Sequence, residues 1–107
     1  MESFGDYIRS VRQNLSLTQT QFAAKIAVDS ATISKIENGQ KMPKEKLLPK
    51  IAKAFNLNLE ELKEQYFSEK FANDLYEYKC PETALKVAER KFKYRVASNV
   101  KQSNLDL

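Results

Sequence analysis

Residues 18–39 read TQTQFAAKIAVDSATISKIENG, and this stretch decides the fold. Thr18 predicts a helix N-cap because its hydroxyl can accept a backbone N–H, and Gln21 three residues later completes a capping box. The apolar residues that follow recur at helical spacing and give this short helix a buried face. They are Phe22, Ala23 and Ile26.

A second short helix follows after a break at residues 27–29. Asp29 is its N-cap, Ile33 and Ile36 lie on its buried side, and Gly39 suits the left-handed residue that ends a helix. Helices this short are not stable alone. They must therefore cross over a shared core, which is the geometry of a helix-turn-helix.

Helical periodicity continues on both sides of this pair. A helix over residues 3–14 is capped by Ser3, and one over residues 45–55 holds Pro49 near its first turn, where a missing N–H matters least. A fifth helix begins near Leu59 and extends to about residue 78. The first helix should turn four apolar residues inward: Phe4, Ile8, Val11 and Leu15.

The last part of the chain predicts a sixth helix. Cys80 and Pro81 read as its cap and first residue, and it should end near Ser98. The polar residues 99–107 should fray. Four apolar residues of this helix should face inward: Leu85, Ala88, Phe92 and Val96.

Size and composition suit one small helical domain with an appendage. The chain has 107 residues, only two glycines and three prolines. It contains no run of about 18 apolar residues that could cross a bilayer, and residues 1–6 do not read as a signal peptide. The single cysteine, Cys80, is compatible with a reducing cytoplasm, whether as a redox switch or as a buried or capping thiol. We therefore expect a cytoplasmic protein without a membrane partner.

Positive charge is concentrated in the first half of the chain. Lys and Arg outnumber Asp and Glu by nine to five in residues 1–57, whereas residues 58–107 hold nine of each. The surplus therefore lies on the half with the helix-turn-helix, as expected of a surface that meets phosphates. A solvated basic surface is the alternative.

Four blocks in one order resemble the lambda-repressor-like helix-turn-helix of the XRE (Cro/repressor) family. They are IRSVR at 8–12, LTQ at 17–19, TISKIENG at 32–39 and LLPKIAKAFNLNLEEL at 47–62. The resemblance implies an all-α fold, with a five-helix DNA-binding domain at residues 1–65 and a helical extension at residues 66–107. The run ALKVAERK at 84–91 is similar to the extensions of small regulators encoded beside restriction-modification genes.

The resemblance implies that the third helix enters the major groove, where its outward side chains read base edges. A lysine can donate to guanine, hydroxyls can bond to several bases, and methyl groups can touch thymine. These side chains are short, so DNA shape and water should contribute to recognition. The alternative is a polar face that only meets solvent. The candidate base-reading residues are Ser30, Ala31, Thr32, Ser34 and Lys35.

Phosphate contacts are implied on both sides of the third helix. Gln19 matches a family position at which a glutamine side chain and backbone N–H groups grip a phosphate. Asn38, Lys41 and Lys44 match positions that contact the backbone of the other strand. Asn38 as a helix C-cap and the lysines as ordinary surface charge are the alternatives.

Two further features follow from the resemblance. Arg12 and Glu37 match residues that form a partly buried ion pair in the family and fix the angle of the third helix, although both could instead be exposed. Ser16 and Ala27 stand where the family usually has glycine. If these sites need a left-handed backbone, each substitution costs on the order of 1 kcal/mol.

The extension carries more apolar residues than one short helix needs. A dimer interface suits them, because two-fold proteins place paired recognition helices on one DNA face. Packing of the tail on its own domain is the alternative. Residues 58–82 hold seven acids and three bases, and residues 83–107 hold six bases and two acids, so antiparallel packing of these helices is favourable within one chain or across a dimer. The predicted dimerisation residues are Tyr66, Phe67, Phe71, Leu75, Tyr78, Leu85 and Phe92.

Catalytic and metal chemistry are not predicted. The chain has no histidine for a Ser/His/Asp triad, one cysteine cannot make a thiolate zinc site, and two glycines cannot form a phosphate-binding loop. We expect no enzyme, no cofactor and no metal. The predicted function is a dimeric transcriptional repressor that binds a double-stranded DNA operator. The alternative is a protein-binding module, such as an antitoxin-like partner, in which DNA binding is secondary.

Overall fold

The computed structural model describes residues 2–105, with side chains up to residue 99. No strand occurs within this range, so the all-α prediction is confirmed. The elements in chain order are α1 (Phe4–Asn14), α2 (Gln19–Lys25), α3 (Ser30–Glu37), a 3-10 turn (Glu45–Leu47), α4 (Leu48–Phe55), α5 (Leu59–Glu77) and α6 (Thr83–Leu105).

Side-chain caps start α2 and α3 at the predicted residues. The Thr18 hydroxyl accepts from Gln21 N at 3.1 Å, and the Gln21 side chain accepts from Thr18 N at 2.9 Å. Asp29 Oδ1 accepts from Thr32 N at 2.7 Å. Because the N-terminal N–H groups of a helix lack intrahelical partners, these bonds set where each helix begins.

The turns that end α1 and α2 use left-handed backbone at non-glycine residues. Ser16 has φ 55° and Ala27 has φ 56°, whereas α3 ends at Gly39 with φ 77°. After α2, Val28 N donates to Ala23 O at 3.1 Å, which is the closing bond of a Schellman motif. The left-handed backbone at Ser16 and Ala27 is therefore confirmed, and the cost of about 1 kcal/mol that we expect at each site stays a prediction.

One apolar core joins the first four helices to the beginning of α5. The rings of Phe22 and Phe55 stack with centroids 4.0 Å apart, and Phe4 meets Tyr66 edge-on at 5.5 Å. Leu15, expected on the inner face of α1, is 46% exposed because it lies at the C-cap, where the chain turns away. The largest fully buried side chains are Phe4, Phe22, Ile8, Ile26, Ile33, Leu48, Ile51 and Leu62.

Gly5 allows α1 to approach the end of α3. A Cβ atom at this position would lie 2.5 Å from Ile36 O and 2.7 Å from Glu37 O. Contacts that short do not occur between a real Cβ and a carbonyl oxygen, so any other residue would push the two helices apart. This requirement was not recognised in the sequence.

The helix predicted over residues 45–55 begins differently. Residues Glu45–Leu47 form a 3-10 turn, and α4 starts at Leu48. Pro49 therefore lies in the first turn of α4, where its missing N–H leaves no bond unmade.

The chain divides into two compact units, Met1–Ala72 and Asn73–Leu107. In the second unit, Cys80 N donates to Leu75 O at 3.0 Å, with Lys79 at φ 51°. Cys80 thus belongs to the end of α5, so the prediction that it caps the sixth helix is wrong, and α6 begins at Thr83. Its thiol is exposed.

α6 is longer and more exposed than expected. It runs beyond Ser98 to Leu105, because no glycine or proline interrupts it, while residues 106 and 107 lie outside the described residues. None of the described helices is long and apolar enough to cross a membrane. The residues expected to face inward are instead exposed: Leu85, Ala88, Phe92 and Val96.

Candidate nucleic-acid interface

α3 presents one apolar face to the core and one polar edge to the surface. Ile33 and Ile36 are 1% and 3% exposed, so the apolar face is anchored. Ala31 and Lys35 on the opposite side are exposed. The other three candidate base-reading residues flank this edge and are half-buried: Ser30, Thr32 and Ser34.

The Glu37 carboxylate connects three helices beneath this edge. Its side chain is fully buried. Arg12 of α1 donates to both carboxylate oxygens, from Nε to Oε2 at 2.7 Å and from Nη2 to Oε1 at 2.9 Å. Gln19 of α2 donates from Nε2 to Oε1 at 3.3 Å, and Arg9 of α1 donates from Nε to the same oxygen at 3.4 Å.

These contacts keep the ion pair charged. Burial alone would raise the pKa of the Glu37 carboxyl, but hydrogen bonds from Arg12, Gln19 and Arg9, with the charge of Arg12, lower it below its usual value. The hydrogen bond to Glu37 likewise raises the pKa of Arg12. Since a buried charge without a partner is costly, the network holds only while both partners are present.

Arg9 extends the network to the C-terminal end of α3, a role that sequence reasoning missed. Its Nη2 donates to Glu37 O at 3.2 Å and to Asn38 Oδ1 at 3.1 Å. The three-residue spacing between Arg9 and Arg12, which places both on one side of α1, was the available signal. Because Arg9 bonds to Oδ1, the amide nitrogen of Asn38 keeps both of its N–H donors.

The predicted phosphate-binding residues separate into two groups. Gln19 and Asn38 both join the Glu37 network, one before α3 and one after it. Asn38 is also the C-cap of α3, which confirms the alternative role that the sequence analysis gave it. Lys41 and Lys44 are exposed in the loop that follows. The contact of each residue with phosphate stays a prediction.

Charge near the start of α3 is arranged around Asp29. Hydrogen bonds from the side chain and backbone of Thr32 lower the pKa of Asp29, with smaller contributions from the charges of Lys35 and Lys41. The cap of α3 is therefore ionised at neutral pH. An anion at a helix N-terminus also interacts favourably with the helix dipole.

The predicted dimerisation residues have different surroundings. Tyr66 is 2% exposed, and its hydroxyl donates to Pro43 O at 2.6 Å. It is a core residue and so is not available for the dimer surface to which the sequence assigned it. Phe67 is partly buried against the core. The others retain exposed surface, fully or in part: Phe71, Leu75, Tyr78, Leu85 and Phe92.

A metal site has no ligand set in the described residues. No group of three or more Cys, Asp or Glu side chains there is placed to hold an ion. The polar network around Glu37 consists of guanidinium, amide and carboxylate groups, and these hold α3 against α1 and α2.

A family model described as helix-turn-helix matches residues 8–62, just over half of the chain and all of α2 to α4. This protein belongs to the helix-turn-helix family. The transcriptional repressor RghR of Bacillus subtilis is 35% identical to this protein over an alignment of 92 residues. The alignment covers 84% of this chain and 66% of the repressor. The chain thus spans slightly less than two thirds of that relative's length.

Two solved structures share the helix-turn-helix fold. The restriction-modification controller protein C.AhdI from Aeromonas hydrophila is 27% identical with a TM-score of 0.51, over 55% of this chain and 86% of that one. The P22 c2 repressor, solved in complex with a synthetic operator, is 24% identical with a TM-score of 0.54, over 58% of this chain and 94% of that one. The likeness of residues 84–91 to restriction-modification regulators stays a prediction.

Proposed function

We propose that this helix-turn-helix protein is a transcriptional repressor that binds a double-stranded DNA operator by inserting α3 into the major groove. The observation that carries the proposal is the exposed edge of α3 around Ala31 and Lys35, on a helix whose other face is anchored in the core. An exposed helix edge of this kind fits the major groove of B-DNA. The names of the relatives, a transcriptional repressor and an operator-bound repressor, favour this function over the antitoxin-like alternative.

Base reading and phosphate binding fall to different residues in this proposal. Lys35 donates to base edges, assisted by the short side chains Ser30, Ala31, Thr32 and Ser34. Phosphates are bound on both sides of α3, by Gln19 before it and by Asn38 with the two loop lysines after it. The Glu37 network supports this division, because it holds the two flanking amide side chains at fixed places relative to α3.

The proposed active form is a homodimer. Two-fold regulators bind half-sites about 34 Å apart, so that both recognition helices enter one face of the DNA. Residues 66–107 supply the dimer contacts in this proposal, through the exposed side chains of Phe71, Tyr78, Leu85 and Phe92. The proposed place of action is the cytoplasm, and the activity is binding rather than catalysis.

The test begins with selection of bound fragments from random duplex DNA, which reports sequence preference and half-site spacing together. Fluorescence anisotropy then compares Lys35→Ala and Lys41→Ala on the selected duplex and on a scrambled one. Lys35→Ala should weaken specific binding by about 10- to 100-fold and spare random DNA. Lys41→Ala should weaken both and reduce the salt slope by about 0.9.

A matched control is Lys63→Ala, since Lys63 lies on α5 beside Glu60, outside the proposed interface. It should leave both affinities unchanged. Equal losses on specific and random DNA for Lys35→Ala and Lys41→Ala would contradict the division of roles. Selection that enriches no sequence would contradict the function itself.

A further inference from the structure

One face of α6 carries an apolar stripe that the described chain leaves uncovered. Leu85, Phe92 and Val96 are separated by seven and four residues, so they lie on one side of the helix. They are 50%, 65% and 48% exposed. Contiguous exposed apolar surface of this kind marks an interaction site on a soluble protein.

Basic residues border the stripe on both sides. Helical spacing places Lys86, Arg90 and Lys93 along one flank, and Lys91 with Arg95 along the other. Of these five basic residues, Lys93 alone has a carboxylate within ion-pair distance among the residues that the structure describes, that of Glu89 at 2.9 Å. The partner of this face should therefore combine apolar and acidic groups.

A second α6 does not meet that description. Thr83–Leu105 contains six basic residues and one acidic residue, so two copies of α6 side by side would bring like charges together. α5 has the opposite balance, with six acidic and two basic residues in Leu59–Glu77. Its charge complements that of α6.

The end of α5 also has the apolar groups that the stripe needs. Leu75 is half-buried, and Tyr78 is 71% exposed just after the helix. Asp74 and Glu77 lie beside them and are exposed. Residues 74–78 thus combine two apolar side chains with two acidic ones, which is the chemistry that the basic borders of the α6 stripe require.

We propose that the occupant of the α6 stripe is a second copy of this chain, bound through residues 74–78 at the end of its α5. Each α6 packs on the α5 end of the other copy, and the two contacts are related by a two-fold axis. This inference rests on the proposed homodimer and defines how the copies pair. Opposite charges around each apolar contact fix the pairing and make the dimer weaker at high salt.

A charge exchange tests the pairing. One variant reverses the α6 flank with Lys86→Glu, Arg90→Glu and Lys93→Glu, and the other reverses the α5 end with Asp74→Lys and Glu77→Lys. Sedimentation velocity should show that each variant alone dimerises more weakly than the wild type, on the order of 100-fold in dissociation constant. An equimolar mixture should form a heterodimer with near wild-type affinity, because both contacts then join opposite charges again.

Helix content measured by circular dichroism controls for folding. The neutral variant with Lys86→Gln, Arg90→Gln and Lys93→Gln should also weaken the dimer, but less than the charge-reversed variant does. If only the α6 variant weakens the dimer, two α6 helices pair and the inference is overturned. If both variants dimerise normally while the α6 variant loses salt-dependent DNA binding, this face serves nucleic acid instead. A wild-type protein that remains monomeric contradicts the proposed dimer itself, whereas the α3 mutations test DNA reading separately.

Discussion

Removing the charge of Arg12 should destabilise the protein more than any surface substitution. Arg12→Met is the suitable change, because it retains the apolar stem of the side chain while deleting the guanidinium. Glu37 would keep only the longer contacts from Gln19 at 3.3 Å and Arg9 at 3.4 Å. The Leu17 carbonyl, which accepts from Arg12 Nη1 at 3.0 Å, would lose its donor as well.

The size of the loss follows from burial. Breaking one partner of a buried ion pair costs about 3 to 5 kcal/mol. Glu37 is fully buried but Arg12 is 15% exposed, and two weaker donors remain, so we expect the lower end, about 3 kcal/mol. For a small domain this corresponds to a fall in melting temperature of about 12 to 24 °C.

Urea unfolding followed by far-ultraviolet circular dichroism measures the change, with the unfolding slope checked against the wild type. The second arm is the double variant Arg12→Met with Glu37→Met. It replaces both charges by apolar groups and should be more stable than Arg12→Met alone, by about 1 to 2 kcal/mol. If the double variant is as unstable as the sum of the two single variants, the charges are not coupled and the reasoning fails.

Three further changes test other parts of the fold. Gly5→Ala should lower the free energy of unfolding by about 1 to 3 kcal/mol in urea titrations, because its Cβ would strike the α3 backbone, and an unchanged midpoint would show that α1 can move aside. Ala27→Gly should raise the free energy of unfolding by up to about 1 kcal/mol, because glycine adopts φ 56° without a steric cost. The control Ala24→Gly, inside α2, should lower it by about 0.5 to 1 kcal/mol. If both variants change the free energy of unfolding in the same direction, Ala27 is not strained. Because the pKa of Glu37 is lowered in the folded protein, the unfolded chain binds a proton at this carboxyl first as the pH falls. Stability should therefore decrease from about pH 4.3, the pKa in the unfolded chain, down through the pKa in the folded protein. Glu37→Gln should flatten this part of the plot of stability against pH.

Local signals in the sequence predicted most helix boundaries because capping is a local interaction. The caps of α2 and α3, the left-handed turns and the buried faces all depend on residues within four positions of each other. The prediction of where α6 begins was wrong for a related reason. Cys80 was assigned to the helix after it, but its N–H already closes the end of α5, and a thiol is a weak acceptor for a cap.

Interactions between distant residues were harder to predict from the sequence. Arg9 and Gln19 were not expected to reach Glu37, because neither lies near it in the chain and both residue types are common on surfaces. Gly5 was missed because its role depends on the distance between two helices. Tyr66 was misplaced because periodicity shows which residues are apolar but not which of them the core needs.

The polar network explains why α3 can be held in one orientation by so small a core. Apolar packing of Ile33 and Ile36 decides which face of α3 is buried, but hydrophobic contact is non-directional and tolerates small rotations and slides. Hydrogen bonds at Glu37 are directional, and they reach α1 through Arg12 and α2 through Gln19. Three helices are thus tied at one carboxylate, which fixes the rotation of α3 that packing leaves free. Under the proposed DNA-binding function, a variant that weakens this carboxylate network without unfolding the domain should therefore lose discrimination between DNA sequences before it loses affinity for random DNA.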